Sequence, residues 1–119
     1  MEPNINGIVF AILHGIDGSL NPFTNSTPDD GYMVGGVSWT MTVTPAEFLE
    51  EHVTLFVNAH RFTLSDPRYY VGWWTHNGRI YLDISECIAG PVEAKVAGMQ
   101  RKEIAIWDVK NSQEIAIAA

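Results

Sequence analysis

The side chains of this sequence with the greatest chemical capability are His76, Arg79 and Asp83, which lie close together in the chain. A guanidinium group can hold a carboxylate or a phosphate, and an imidazole beside a carboxylate can exchange protons. Aromatic residues accompany them, and these are Tyr70, Trp74, Tyr81 and Trp107. Aromatic side chains next to Arg are also typical of protein interfaces. The stretch therefore predicts a binding surface, either for a small polar ligand or for a protein.

Catalytic and metal-binding signatures are absent from the sequence. It has no phosphate-binding Gly-x-x-x-x-Gly-Lys loop, no Gly-x-Ser-x-Gly nucleophile motif and no paired-cysteine zinc motif. Cys87 follows Glu86, whose charge disfavours a reactive thiolate. His52 and His60 would lie roughly 12 Å apart on a helix, which is too far for one metal ion to bridge. We predict no catalytic residue, no metal site and no cofactor, which favours a protein that is not an enzyme.

The charge of the chain is distributed unevenly. Residues 1–60 carry seven acidic residues and no Lys or Arg, whereas residues 61–119 carry seven of each sign, so the net charge of −7 lies in the first half. Such a field repels phosphate backbones and attracts basic surfaces. We therefore expect no direct contact with nucleic acid and a protein partner with a basic surface. The first candidates to meet that partner are Glu47, Glu50 and Glu51 on a predicted helix, although acidity that only keeps the protein dissolved is the alternative.

Length and composition indicate one folded domain over residues 1–119. Apolar residues make up 46% of the 119 positions, which suffices for a core and excludes a disordered chain. No apolar run approaches the ~20 residues that cross a bilayer, and residues 1–60 lack the basic start of a secretory signal. A single cysteine cannot form an internal disulfide, which is consistent with a reducing cytoplasm.

The clearest element of the sequence is a β-hairpin formed by residues 69–76 and 79–86. Asn77-Gly78 is the preferred two-residue loop of type I′, because both of its positions need a positive φ. The loop sets the register, which places Trp73 opposite Leu82 on the face that we expect helices to cover. The other face then carries the aromatic and charged side chains named above.

The other elements follow from apolar periodicity and turn signals. We predict strands over 7–13, 34–43, 103–108 and 113–117, and a long loop over 14–31. Helices are expected over 45–60, after a Thr44–Glu47 capping box, and from Pro91 to about residue 101. The second helix has its larger apolar residues on one side, and these are Val92, Val96 and Met99.

Residues 34–108 therefore read strand, helix, strand, strand, helix, strand, which is the ferredoxin-like βαββαβ pattern. The predicted fold is α+β, with an antiparallel sheet, two helices on one face and an extra strand at each end of this unit. The helix-free face would be open to partners, or else covered by residues 1–30 or by a second copy in a homodimer.

The second half of the sequence resembles small accessory proteins encoded by bacteriophages of actinobacteria. The resemblance covers residues 68–115 and consists of a Gly-Trp hairpin at 72–73, a Tyr-x-Asp-x-Ser strand at 81–85 and an Ala-Ile-Trp-Asp strand at 105–108. It implies an accessory protein that acts in a bacterial host cytoplasm. It implies no enzymatic activity and supplies no catalytic residues.

These observations lead to one expected function and two alternatives. We expect a small non-enzymatic phage-type protein that binds a host protein, as inhibitors of host defence or transcription do, through the acidic helix or the aromatic sheet face. One alternative is a small-ligand binder or an enzyme that uses His76, Arg79 and Asp83 on the open face. The other is a virion or assembly component that self-associates through the sheet.

Overall fold

The computed structural model describes residues 2–117, which form an α+β fold with a seven-stranded open antiparallel sheet and four helices. The helices are α1 (Ile5–Leu13), α2 (Glu50–Ala59), α3 (Arg61–Leu64) and α4 (Pro91–Gln100). The strands are β1 (Gly18–Leu20), β2 (Tyr32–Val34), β3 (Met41–Val43), β4 (Tyr69–His76), β5 (Arg79–Ile88), β6 (Ala105–Asp108) and β7 (Gln113–Ala116). Among residues 2–117, no helix has the length and apolar character needed to cross a membrane.

The predicted hairpin is confirmed as the centre of the sheet. Asn77 and Gly78 have φ values of 50° and 73°, so both adopt the left-handed conformation that the type I′ loop requires. The strands β4 and β5 pair in the predicted register, with Trp73 opposite Leu82. Trp73 is buried in the core beneath the helices, and its indole Nε1 donates a hydrogen bond to the Ile16 carbonyl over 2.8 Å.

The strands are ordered β1-β4-β5-β2-β6-β7, and β3 pairs with the first part of β5. Every neighbouring pair is antiparallel. The strands β2 and β4 are therefore parallel to each other with β5 between them, and β5 and β6 are parallel with β2 between them. The connection from β2 to β4 contains α2, and the connection from β5 to β6 contains α4.

The two long connections place their helices on the same face of the sheet. Ile84 on β5 belongs to the core cluster that α1 and α2 cover, whereas Val34 on β2 belongs to a second cluster that α4 covers. Val34 pairs with Glu86, which lies two residues from Ile84 and so points to the same side. Within the described part of the chain, the opposite face of the sheet carries no helix.

The helix α4 packs on the sheet through small residues and not through its larger apolar ones. Its buried residues are Ala94 and Gly98, while Val92, Val96 and Met99 point away from the sheet, with Val92 66% exposed. A methyl group on Gly98 would lie 3.0 Å from Ile106 Cγ2, so the helix approaches the sheet closely. Small residues allow this approach, and the larger apolar side chains, which share one side of the helix as predicted, face away from the sheet.

The strand expected over residues 7–13 is wrong, because these residues belong to α1. The side chain of Asn4 accepts a hydrogen bond from the Gly7 amide over 2.9 Å and caps the helix. Ile8 and Ile12, four residues apart, are buried, whereas Phe10 is exposed. The extra strand of the first part of the chain is instead β1, within the stretch that was expected to be a loop.

The strand expected over residues 34–43 is interrupted. The strand β2 pairs with β5 as far as Glu86, and β3 resumes the pairing at Leu82. Residues 35–40 therefore lie opposite the shorter stretch 83–85. Because they outnumber the residues they face, residues 35–40 form a loop, which we call the sheet break. It begins with Gly35 and Gly36, and Gly36 has a φ of 76°, so these glycines end the strand.

The first predicted helix starts later than expected, at Glu50 instead of Pro45. The Thr44 hydroxyl does donate to the Glu47 carboxylate over 2.6 Å, but this contact closes a turn that precedes the helix. The Leu49 amide, one residue before α2, donates to His52 Nδ1 over 2.9 Å. The remaining predicted strands agree with β6 and β7 to within a few residues.

Candidate partner-binding face

An aromatic platform lies at the hairpin end of the helix-free face. Trp74 on β4 and Tyr81 on β5 face each other across the strands, as predicted, with ring centroids 5.3 Å apart and ring planes inclined by 14°. Both side chains are half-buried, so part of each ring remains open to solvent. The rings hold each other in place because an offset stack is a favoured arrangement of two aromatic groups.

A fixed guanidinium group borders the platform. Arg79 lies opposite His76 at the end of the hairpin, and both are exposed. Its Nη2 donates to Thr42 Oγ1 over 3.0 Å, and Thr42 lies on β3 directly opposite Tyr81. The arginine is thereby held beside the aromatic stack, with other N–H donors available to a partner.

The other end of the helix-free face is covered by the protein itself. Residues 21–31 run from β1 on one side of the hairpin to β2 on the other, and the Cys87 thiol donates to the Asp30 carbonyl over 3.2 Å. Tyr70 is only 9% exposed there. Burial, and then the negative charge that Cys87 carries once it ionises, raise the pKa of the Tyr70 hydroxyl, with a hydrogen bond to Ser26 opposing the shift. Tyr70 is therefore placed on the predicted face but offers little surface to a partner.

The covering segment is anchored by the fully buried side chain of Asn21. Its amide donates to the carbonyls of Leu64 and Tyr69, each over 2.9 Å. Its carbonyl oxygen accepts from the amides of Phe23 and Thr24, over 2.9 and 3.1 Å. An amide with both ends satisfied in this way ties the start of the segment to the beginning of β4.

Asp83 is on the predicted face but buried, with 6% of its surface exposed. Gly72 on β4 and Gly35 in the sheet break pack directly against its carboxyl group. Burial and, second, the nearby carboxylate of Glu103 raise its pKa to about 7, while a hydrogen bond with Ser85 works against the shift. Asp83 therefore does not present a free charge to a partner.

Trp107 lies on the same face but apart from the platform. It sits on β6 opposite Met33, which in turn pairs with Cys87 on β5. One strand, β2, therefore separates it from the strand that carries Tyr81. Trp107 is 43% exposed and forms a second aromatic position that an extended partner can reach.

The three acidic candidates lie on the opposite side of the sheet. Glu47 is in the turn before α2, and Glu50 and Glu51 are in the first turn of that helix, all exposed. Carboxylates at this position interact favourably with the positive end of the helix dipole, which gives them a structural role. Since α2 covers one face of the sheet and the platform occupies the other, a single flat interface cannot include both.

Two cavities lie away from the predicted polar cluster. A depression of about 190 Å³ is lined by Asp30, Gly31, Cys87 and Ala89. A shallow groove of about 430 Å³ is lined by Val37, Phe62, Thr63, Ser65, Asp66, Arg68 and Tyr69. Neither is lined by the polar residues that a small-ligand site on the open face would use. Within residues 2–117, no group of three or more His, Cys, Asp or Glu side chains is arranged to hold a metal ion.

Two features of this region were missed from the sequence. Glu103 lies in the turn after α4 and reaches the sheet break, although it is twenty residues away from Asp83 in the chain. The sheet break itself had a signal, because paired glycines inside an apparent strand often mark an interruption. For Glu103 the signal was partial: alternation in the strand predicted over 103–108 places residue 103 on the same face as Trp107, but its approach to the sheet break depends on how α4 packs.

No protein-family model, curated protein or solved structure matches this chain. What the protein does therefore has to follow from the geometry and charge of its own surface. The helix-free face supplies the most specific arrangement, with two stacked rings, a fixed guanidinium group and a second aromatic position beyond β2.

Proposed function

We propose that this protein is a non-enzymatic, phage-type binding protein that engages a host protein in the bacterial cytoplasm through the aromatic platform. The observation that carries the proposal is the half-exposed stack of Trp74 and Tyr81 beside the fixed Arg79. Trp, Tyr and Arg are the residues that dominate binding energy in protein interfaces. A stack that is already formed also reduces the entropy lost on binding.

The acidic half of the chain supports a partner with a basic surface. Its charge of −7 is carried by residues 1–60, and its most prominent cluster lies on the side of α2, away from the platform. Charges that do not touch a partner still act at a distance, because the summed field raises the rate of encounter. We therefore assign the acidic residues to steering and the platform to contact.

The proposed architecture of the core fits this use of the sheet. We infer a ferredoxin-like core from β2 to β6, supported by the order β4-β5-β2-β6 and by the two helical connections that each pass over one intervening strand. In such a core both helices occupy one face. The other face is then available for binding, apart from the end that residues 21–31 cover.

Self-association, as in a virion or assembly component, is a second candidate with its own observation. Val92, Val96 and Met99 form an exposed apolar stripe on α4, and exposed apolar stripes commonly meet a partner. A small-ligand site has less support, because neither of the two cavities described above is lined by His76, Arg79 or Asp83.

Affinity capture from bacterial lysate, followed by binding measurements on the captured protein, tests the proposal. We expect Trp74→Ala to weaken binding roughly thirtyfold or more, since an interface hot spot is worth about 2 kcal/mol. Phe62→Ala is the matched control, because Phe62 is 93% exposed on α3 and lies outside the platform. Thermal unfolding of each variant shows whether it folds, and a folded Trp74→Ala that binds as tightly as wild type contradicts the proposal.

A further inference from the structure

Two carboxyl groups converge on the backbone of the sheet break. A methyl group built on Gly35 would lie 2.6 Å from Asp83 Oδ2 and equally 2.6 Å from Glu103 Oε1. The two oxygens are therefore separated by no more than twice that distance. A methyl group on Gly36 would lie 3.1 Å from Glu103 Oε2, so the Glu103 side chain runs along both glycines.

The surroundings of Asp83 provide little compensation for a negative charge. Gly72 on β4 packs against it, and a methyl group there would lie 2.6 Å from Asp83 Oδ1. On β5 the Ser85 hydroxyl donates over a long distance of 3.5 Å. Asp83 is 6% exposed, so water contributes little solvation either.

The nearest cation is engaged elsewhere. Arg101, at the end of α4, donates from Nη2 to Glu86 Oε1 over 2.5 Å and from Nη1 to the Val34 carbonyl over 3.4 Å. Its charge lowers the pKa of Glu103, but burial outweighs this effect and raises that pKa. Glu103 is thus the titratable group that faces Asp83 from the turn after α4, while Glu86 is already paired with Arg101.

We propose that Asp83 and Glu103 hold one proton between them in mildly acidic solution, and that this proton fastens the sheet break to the turn after α4 until rising pH removes it. With the proton present, one carboxyl group is neutral and the repulsion between the two groups is absent. Without it, two carboxylates face each other in a site of low solvation, and their repulsion favours separation of the sheet break from the turn.

The sign of the pH dependence follows from the direction of the shift. The pKa of Asp83 is raised to about 7 in the folded protein, and its ordinary value of 3.8 applies when the site is open. Between pH 3.8 and about 7, the closed site therefore holds a proton that is released when the site opens. Closure is strongest in acid, weakens as the pH rises towards about 7 and is independent of pH above that.

Hydrogen–deuterium exchange of the buried Gly35 amide and of the amides of the adjoining strand β3, which pairs with β5, tests the proposal in the intact chain. After correction for the intrinsic exchange rate, we expect protection in wild type to fall by up to about tenfold per pH unit between pH 5 and 7, since one proton is released on opening. Asp83→Asn cannot ionise and retains the same size, but Glu103 still titrates there, so the decisive variant combines Asp83→Asn with Glu103→Gln, and its protection should not change with pH. Glu93→Gln is the matched control, because it removes an exposed carboxylate of α4 and should keep the wild-type profile.

A second measurement decides the proposal even where Asp83→Asn does not fold. A carboxyl ¹³C NMR titration of wild type should give Asp83 a midpoint near neutral pH, and Glu103→Gln should lower that midpoint. A wild-type midpoint below pH 5 would overturn the proposal. So would pH-dependent protection of the Gly35 and β3 amides that persists in a folded variant carrying both Asp83→Asn and Glu103→Gln.

Discussion

The helices α2 and α4 cover the same face of the same sheet by opposite means. The helix α2 buries Val53, Phe56 and Val57 completely. The helix α4 buries Ala94 and Gly98 and turns its larger apolar residues outward. The first helix thus holds its place through apolar area, and the second through a close backbone approach. Apolar periodicity predicts where a helix forms, but not which of its sides meets the sheet when a glycine permits close packing.

The largest effect is expected on the α2 side of the molecule. Trp73→Ala should lower the free energy of unfolding by about 3–5 kcal/mol, because it removes a large buried side chain and leaves a cavity beneath α1 and α2. The Nε1 hydrogen bond to Ile16 is lost as well. Denaturant unfolding measures the change. A loss below 1 kcal/mol would mean that the α2 side does not depend on apolar area as described.

A moderate effect is expected beneath α4. Gly98→Leu should lower the free energy of unfolding by roughly 1–3 kcal/mol, because the new side chain overpacks the space against Ile106. A methyl group alone already lies 3.0 Å from Ile106 and 3.4 Å from Ile117. Gln100→Leu, at an exposed position of the same helix, is the control and should have little effect. Equal stability of Gly98→Leu and wild type would refute the close approach.

The smallest effect is expected on the outer side of α4. Val96→Ser should change the free energy of unfolding by less than about 0.5 kcal/mol, since the side chain makes little contact within the chain. Unfolding measured at two protein concentrations provides the check. A loss of more than 1 kcal/mol in the free energy of unfolding that grows with protein concentration would reveal that a second copy covers the stripe. Both helices would then bury large apolar residues in the assembly, and the contrast between them would disappear.

The elements that the sequence predicts correctly are those fixed by local chemistry. Asn77-Gly78 determines the hairpin register, and the register alone places Trp74 opposite Tyr81. The strand expected at 7–13 failed because a short apolar run fits a buried strand and a buried helix equally well, and the capping contact from Asn4 decides between them.

The parts of the candidate site that escaped prediction depend on distant contacts. Asp83 looks like an accessible charge in the sequence, but Gly72 and Gly35 bring backbone against it from two directions. Tyr70 looks like part of an aromatic surface, but residues 21–31 pass over it. Contacts from distant glycines and a segment that crosses the sheet leave no periodic pattern in the sequence. Side-chain alternation therefore predicted the face on which Asp83 and Tyr70 lie, but not how much of each side chain is exposed.

The strand pairing also constrains the order in which a growing chain can fold. Each strand before residue 60 pairs only with a strand after residue 68: β1 with β4, β2 with β5 and β6, and β3 with β5. During synthesis the first half therefore has helices but no strand partners until the central hairpin has been made. We expect it to remain a loose chain until then, and its net charge of −7 should keep copies of it apart.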